Sequence, residues 1–520
     1  MYKIVVFLAF WLFAIGFFIK SVSFIDPDFG WHYRIGEFIL AHGIPRTDIY
    51  SYTMPDFPYV EHEWIADVGM YFFYQKIGYY GLAFVYTIIA ILTLYILYRQ
   101  TRNWLSLIPI LFTGEIFILY GGIRDQVIPW LLAVLILWIC NTRQKWKYTR
   151  YLIPIIIILW ANMHGSFPFG IAITAMYVIT HGIKAKRIEM HSVPIQPLSN
   201  AFGSHTTFKD GENASSSHTT FKDGEADAFQ NTLLGNQMHL WQDTIVLILC
   251  GIATLINPYT WHIWEEVWRV EFITSWHWTI QEWEPAFFTI ICSFDFFVPI
   301  SLIFIWLYKK EYSFFSLLLY SVSLLMALSS QRHIPLWAVT AFLLTTEGLG
   351  HLQKQLQPYP GGEKSYHQIY IMLLLITIAG VGVDIWQTPP NVQIVYPEKA
   401  IQYLQTHPVK GHLFADYNWG GDIIWHLPGV KTFVNGRMPS WQFSTKNPHE
   451  STNAYQEYLD IVLGKESLPF AVRKYDIGTI LWPNIDKQLK DQNILRWLQA
   501  IHNAGFKKVY QDNIAVIYEK

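Results

Sequence analysis

Long apolar runs dominate this chain, and only a membrane bundle accommodates so many of them. Reading between charged or turn residues gives about eleven candidate spans, judged against the roughly 17 to 25 residues a bilayer requires. They are Ile4 to Ile25, Tyr80 to Tyr98, Trp104 to Tyr120, Val127 to Cys140, Tyr151 to Trp160 and Phe167 to Ile183. Thr244 to Ile256, Ala286 to Tyr308, Phe314 to Leu328, Ile334 to Leu344 and Ile369 to Trp386 follow. Several are short, and Tyr151 to Trp160 fits a re-entrant segment. The first run follows Lys3, lacks a small-x-small cleavage site and reads as an uncleaved anchor. Charge is correspondingly sparse, 15% of 520 residues, against roughly 25% in a soluble domain. A net charge of −2 gives no basic surplus for nucleic acid, and the apolar content excludes a disordered chain. Cys140, Cys250 and Cys292 stand singly, so neither a disulfide framework nor a thiolate zinc site is encoded.

Cytoplasmic loops hold the excess of Lys and Arg. One set of alternate span ends collects about 14 of them, from Lys3 and Arg99 through Arg150, Lys184 and Lys309 to Lys364; the other collects about 7. The expected topology therefore has the amino terminus in the cytoplasm and the carboxyl terminus outside, in a multi-pass membrane protein. The fold expected is an all-α polytopic bundle over residues 1–387, followed by a small extracytoplasmic α/β domain over 388–520. Within the bundle, residues 26–78 form a first outer loop with two amphipathic helices, starting after Asp28 and after Glu61. Residues 185–243 form a cytoplasmic insert holding the direct repeat SHTTFKDGE at Ser204 to Glu212 and Ser217 to Glu225. A duplicated polar stretch has nothing to bury and reads as disordered. The last block alternates the β-rich runs HLFADY, KTFVNG, IGTILW and AVIYEK with helical patterns at Pro397 to Gln405 and Gln492 to Ala504.

With that topology the polar motifs sort onto the outer face: DPDFGWHYRIGEF from Asp26, EHEW from Glu61, Arg124-Asp125, Asn162-Met163-His164-Gly165, Asn257-Pro258-Tyr259, Glu282-Trp283 and Gln331-Arg332-His333. Ionisable groups at a membrane boundary cost free energy unless paired or hydrated, so their convergence predicts a wet pocket there. The candidate base is Asp28, just past the first span, with Asp26 as the alternative. The candidate substrate-binding residues are His32, Glu61, Glu63, Arg124, His164, Glu282, Arg332 and His333. Arg124 and Arg332 suit a phosphate, because guanidinium binds it bidentately. The competing structural readings are an N-cap for Asp28, helix-dipole partners for Glu61 and Glu63, and a snorkelling pair for Arg332-His333.

These residues resemble a known family. An acid after the first span, an aromatic-rich helix, the turn Gly43-Ile44-Pro45 and a second helix returning to the membrane resemble the first outer loop of the GT-C superfamily, polytopic glycosyltransferases that use polyprenyl-phosphate sugars. DPDFGWHYRIGEFILAHGIPRTDIYSYT, EHEW, WANMHG, INPY, QEWEP, SQRHIP, DYNWGGDIIW and FVNGR resemble a bacterial subgroup of such proteins. The resemblance implies a catalytic Asp or Glu in this loop, which Asp28 matches; the family's frequent Asp-Glu pair is here Asp28-Phe29. It also implies a polyprenyl-phosphate sugar donor, a glycan, lipid or protein acceptor, inverting transfer, and membrane lipid around the bundle.

No nucleotide loop is present, and no cofactor or nucleic acid is expected. His32, His62, His164 and His333 all face outward, but no HExxH spacing ties them together, so no metal is expected. Trp261, Trp264, Trp268, Trp276, Trp278 and Trp283 read as an interfacial belt, with sugar stacking as the alternative. Glu115 and Asp295 lie deep in spans, a position that marks function by default. The rival functions are a transporter or flippase, which should show inverted repeats, and a non-catalytic scaffold for envelope assembly.

Overall fold

The computed structural model describes residues 2–101, 104–142, 148–192, 223–272, 278–288, 292–356, 396–484 and 492–520, with isolated positions between 368 and 382. Most of the repeat, most of the eleventh apolar run, and Trp276 lie outside the described residues; the repeat's last three residues open a helix that begins at Asp223, and helix also covers the insert as far as Ser192, where disorder was expected.

Each of the first ten apolar runs falls on helix: α1 (Tyr2–Ser23), α3 (Trp64–Thr101), α4 (Leu107–Tyr120), α5 (Val127–Thr142), α6 (Leu152–Ala161), α7 (Phe167–Ser192), α8 (Asp223–Ala253), α10 (Cys292–Tyr308), α11 (Phe314–Ser329) and α12 (Ile334–Leu356). Between them lie two helices in connecting segments, α2 (Phe29–His42) and α9 (His262–Phe272). Lys3–Ser23 and Trp64–Thr101 are long and apolar enough to cross a membrane by length and composition; six further apolar helices have 10–17 residues. Among the described residues two spans are thus clear, beside a set of shorter apolar helices, and the expected eleven are not confirmed. α1 shows how such a helix sorts its faces. Val5, Ala9, Phe13 and Phe17 are buried at one-turn spacing, while Ile4, Phe7, Trp11 and Ile15 stay exposed. An exposed apolar face of this kind is favourable against lipid and costly against water.

The two expected loop helices are present. α2 follows Asp28, and the second forms the front of α3, which bends at Gly78 (φ 68°, ψ −175°) before entering the bundle. A side chain would strain that positive φ, so glycine permits the change of direction.

The carboxyl-terminal part holds a four-stranded sheet, β1 (His412–Ala415), β2 (Ile477–Pro483), β3 (Lys507–Gln511) and β4 (Ala515–Glu519), in the order β1-β2-β4-β3. β1 and β2 run parallel; β4 is antiparallel to both its neighbours. The KTFVNG run is not a ladder strand. Thr432 instead makes isolated bridges to Leu413 and to Ser51 of the first outer loop.

That loop and the sheet share one hydrophobic core, in which Trp31, Ile35, Met54 and Phe57 pack with Phe414, Phe433 and Trp441. α2 also lies backbone to backbone on α14 (Gly420–His426; α13 is Glu398–Thr406). A Cβ on Gly30 would strike the Gly421 carbonyl, so the two glycines set the approach.

Candidate active site

The site begins with two helical pairs. Asp28 and His32, and likewise Glu63 and Asp67, are four residues apart and therefore share a helix face. α2 packs along the front of α3, with Gly36 against the Asp67 backbone. Asp28, His32 and Glu63 thus line a cavity of about 850 Å³, within the range of ligand sites, with Asp67 buried behind them. Asp26, Arg124, Asp125, His164, Glu282, Arg332 and His333 also line it, as do Tyr417, Asn418 and Arg437 from the carboxyl-terminal part. Every expected site residue therefore faces one cavity.

The two candidate bases are held differently. Asp26 is buried; its Oδ1 accepts the Asp28 backbone N–H at 2.9 Å, and its Oδ2 pairs with Arg124 Nε. Asp28 occupies the N-cap position of α2, yet its side chain makes no capping bond. Oδ1 instead accepts from Trp31 Nε1 at 2.8 Å. A Cβ on Gly436 would collide with that same oxygen, so glycine there leaves the carboxylate its room. Burial, reinforced by the Asp26 charge, pushes the Asp28 carboxyl up to about 6.

Arg124 is clamped between Asp26 and Glu282, whose Oε2 lies 2.7 Å from Nη2. Its charge holds Glu282 below the ordinary carboxylate range, against the effect of burial. Arg332 stacks 4.7 Å above the Trp283 ring and makes no ion pair among the described residues. Of the two arginines expected to hold phosphate, Arg332 is the one outside an ion pair among the described residues, although its charge also acts on Glu282 and Glu63.

Behind Asp28, Trp31 stacks on His32 with ring centroids 3.5 Å apart. His32 Nδ1 lies 2.6 Å from Asp67 Oδ1 and 3.3 Å from Asp125 Oδ2. Burial opposes a charge on His32, but Asp125 and Asp67 overcome it and hold its pKa well above the ordinary histidine value. Burial in turn pushes Asp125 up to about 7. Glu63 is ringed by His164 Nε2 at 3.5 Å, His62 Nε2 at 3.7 Å and His32 Nε2 at 3.9 Å. His164 Nδ1 accepts the Ser166 N–H at 3.0 Å, which places the ring proton on Nε2, and burial pulls its pKa down to about 3. Glu61 is turned inward, bonded to Tyr59 Oη and to the Glu63 N–H. His333 Nε2 reaches Glu271 at 3.9 Å.

Several motifs turn out to be staples. Asn162 accepts from Trp64 Nε1 at 2.7 Å and donates to the carbonyls of Ile158 and Ile256, tying α3, α6 and α8. Tyr259 Oη donates to the Pro45 carbonyl at 2.7 Å, anchoring the Gly-Ile-Pro turn. Trp261, Trp264, Trp268 and Trp278 are exposed, as a belt requires, whereas Trp283 is buried beside the cavity. Glu115 accepts from Ser293 Oγ at 2.9 Å inside the bundle, away from the cavity.

Asp67, Asp125 and Arg437 were not among the expected site residues, although Arg124-Asp125 and FVNGR stood among the motifs. For Asp67 the signal was its place one turn after Glu63. Arg437, bonded to Asp48 at 2.7 Å and packed on Tyr50, Tyr59 and Trp441, joins the cavity through a contact between residues 389 positions apart.

No family model matches this sequence, and no curated protein matches it. Among solved structures it is similar to the oligosaccharyltransferase of Archaeoglobus fulgidus, crystallised tethered through a disulfide bond to an acceptor peptide containing the NVT sequon. The identity is 12% and the TM-score 0.52, over 99% of this chain and 74% of that one. At this identity the likeness is one of fold alone.

Proposed function

We propose that this chain is a membrane glycosyltransferase of the GT-C type, moving a sugar from a polyprenyl-phosphate donor to a hydroxyl acceptor on the extracytoplasmic face. Asp28 takes the acceptor proton as its oxygen attacks the anomeric carbon from the side opposite the phosphate. The bond from that carbon to the phosphate oxygen breaks with inversion, and polyprenyl phosphate leaves against the Arg332 guanidinium. The observation that carries this reading is the Asp28 carboxylate, which faces the cavity with a pKa pushed up to about 6 while its neighbour Asp26 is committed to Arg124. A base poised near the working pH combines an ionised population with real proton affinity. Phe24, Leu119, Tyr120, Ile123 and Leu336 give the same cavity an apolar flank for the isoprenoid. Tyr417, Asn418 and Arg437 of the carboxyl-terminal part line the same cavity and suit a polar acceptor. The reading also gives the neighbour's acceptor peptide a counterpart here, an acceptor approaching from the carboxyl-terminal side. Incubating the purified protein with a panel of lipid-linked sugars and acceptors tests it: polyprenyl phosphate should appear with one of them. If none is released, and flip of a lipid-linked sugar across vesicles is seen instead, the protein is a flippase.

A further inference from the structure

A second cavity, of about 1230 Å³, opens at the other end of the same helices. Glu63 and Asp125, which precede α3 and α5, line the first cavity, whereas Gln100 at the end of α3 and Asn141 at the end of α5 line the second. On α12, Leu336 borders the first and Glu347 the second, about 16 Å of helix further on. The inner wall is apolar, built from the buried side chains of Leu137, Phe315, Leu319 and Leu344. Ile183 and Phe314 also line the cavity yet are 49% and 57% exposed. Exposed apolar side chains of this size are favourable against lipid and costly against water, so the cavity has a lateral entrance from the bilayer. Its polar edge carries both signs of charge. Lys184 and Glu347 are exposed there, and neither makes an ion pair among the described residues. An ammonium and a carboxylate that share a rim without pairing leave room between them for a ligand with both charges. Gln100 stands beside them; its Oε1 accepts from Asn141 Nδ2 at 3.0 Å, and its Nε2 is buried without a hydrogen-bond partner.

We propose that this cavity binds one membrane phospholipid whose headgroup carries a phosphate and a primary ammonium, the phosphatidylethanolamine class. The acyl chains lie on the apolar wall and leave between Ile183 and Phe314. The phosphate meets the Lys184 ammonium, and the headgroup ammonium meets the Glu347 carboxylate, both as charge-assisted hydrogen bonds. Phosphatidylglycerol lacks the second contact. Phosphatidylcholine has no N–H on its quaternary nitrogen and offers Glu347 no hydrogen bond. The volume exceeds the roughly 300 to 1,000 Å³ of small-molecule sites, which together with the lateral entrance favours a lipid over a soluble metabolite. A lipid here ties together α3, α5, α7, α11 and α12, the helices whose other ends border the first cavity. The proposal rests on the bundle lying in a bilayer and not on the transfer chemistry, so its test reads binding and not turnover.

Full-length protein in detergent, washed free of co-purified lipid, is mixed with micelles of phosphatidylethanolamine, phosphatidylglycerol or phosphatidylcholine with matched chains, and bound lipid is counted by native mass spectrometry. One phosphatidylethanolamine per chain should survive activation that strips the rest, and it should raise Tm. It should also bind about tenfold tighter than either other lipid. Lys184→Gln and Glu347→Gln alter exposed rim positions, and each should weaken retention about tenfold. Lys310→Gln, which removes a cation at the same end but outside the cavity, should leave retention unchanged. Circular dichroism of each variant separates lost binding from lost folding. Equal retention of the three lipids, or retention unchanged in both folded rim variants, overturns the proposal. Glycerophosphoethanolamine, the headgroup without its chains, should fail to compete; competition at equal concentration overturns the lipid assignment in favour of a soluble ligand.

Discussion

Asp26 and Asp28 are two residues apart, and the difference in what holds them is the basis for separating their roles. Asp28→Asn keeps an oxygen for Trp31 Nε1, so turnover should fall by about 10² to 10⁴ with the fold intact. Asp26→Asn should mainly weaken the Arg124 clamp and lower Tm; turnover lost at Asp26 alone would make that residue the base. The groups facing Asp28 are Asp26, His32, Glu282 and Arg124, and the balance leaves its carboxyl at about 6. Since the base acts ionised, kcat/KM should drop as pH falls through 6 and level off above it. The stability effect has the opposite sense. The folded pKa exceeds the unfolded value of roughly 4, so the folded state binds more protons in that window and loses stability as pH rises through it. Asp28→Asn should therefore raise Tm at pH 8 relative to wild type, with the gain gone at pH 4; a pH-independent difference would refute a buried charge. The place of Asp28 at the cavity was legible because it follows a span end. Asp67 was not, because its partners His32 and Asp125 come from two other segments.

Helices were the most legible feature, since an apolar run with charged ends leaves a chain few other options in lipid. Strands were legible where pairing stays within the carboxyl-terminal part: HLFADY, IGTILW and AVIYEK all hold strands. KTFVNG failed because its partner Ser51 belongs to the first outer loop, a pairing that no local pattern announces. The docking of α2 on α14 was equally hidden, since it depends on two glycines far apart in sequence. Gly30→Ala places a methyl against the Gly421 carbonyl, and overpacking of this kind costs about 1 to 3 kcal/mol. Thermal melts should show that loss, and Asp28, two residues upstream, should lose its position as well. A Gly30→Ala protein with wild-type Tm and turnover would show that the two helices separate freely.

The cavity collects the ends of alternate bundle helices: the start of α2 and α3, the turn between α4 and α5, the end of α6 and the turn between α11 and α12. Arg99, Arg150, Lys184, Lys309, Lys310 and Lys354 sit at the opposite ends. Two independent features, the fold's own up-and-down order and the distribution of positive charge, thus divide the chain into the same two faces. Cytoplasmic loops keep the positive excess, so the cavity and the carboxyl-terminal sheet should lie outside, where a lipid-linked donor is the accessible kind. The span count was less legible, because short apolar helices such as α6 satisfy periodicity without the length a bilayer needs. Reporter fusions test the orientation directly. An alkaline phosphatase fused after Lys520 should be active and one placed between Ser204 and Glu225 inactive, and deleting that repeat should leave Tm and turnover unchanged. The reverse pattern of phosphatase activity would put Asp28 in the cytoplasm, where nucleotide sugars abound, and the case for a lipid-phosphate donor would lose its topological support.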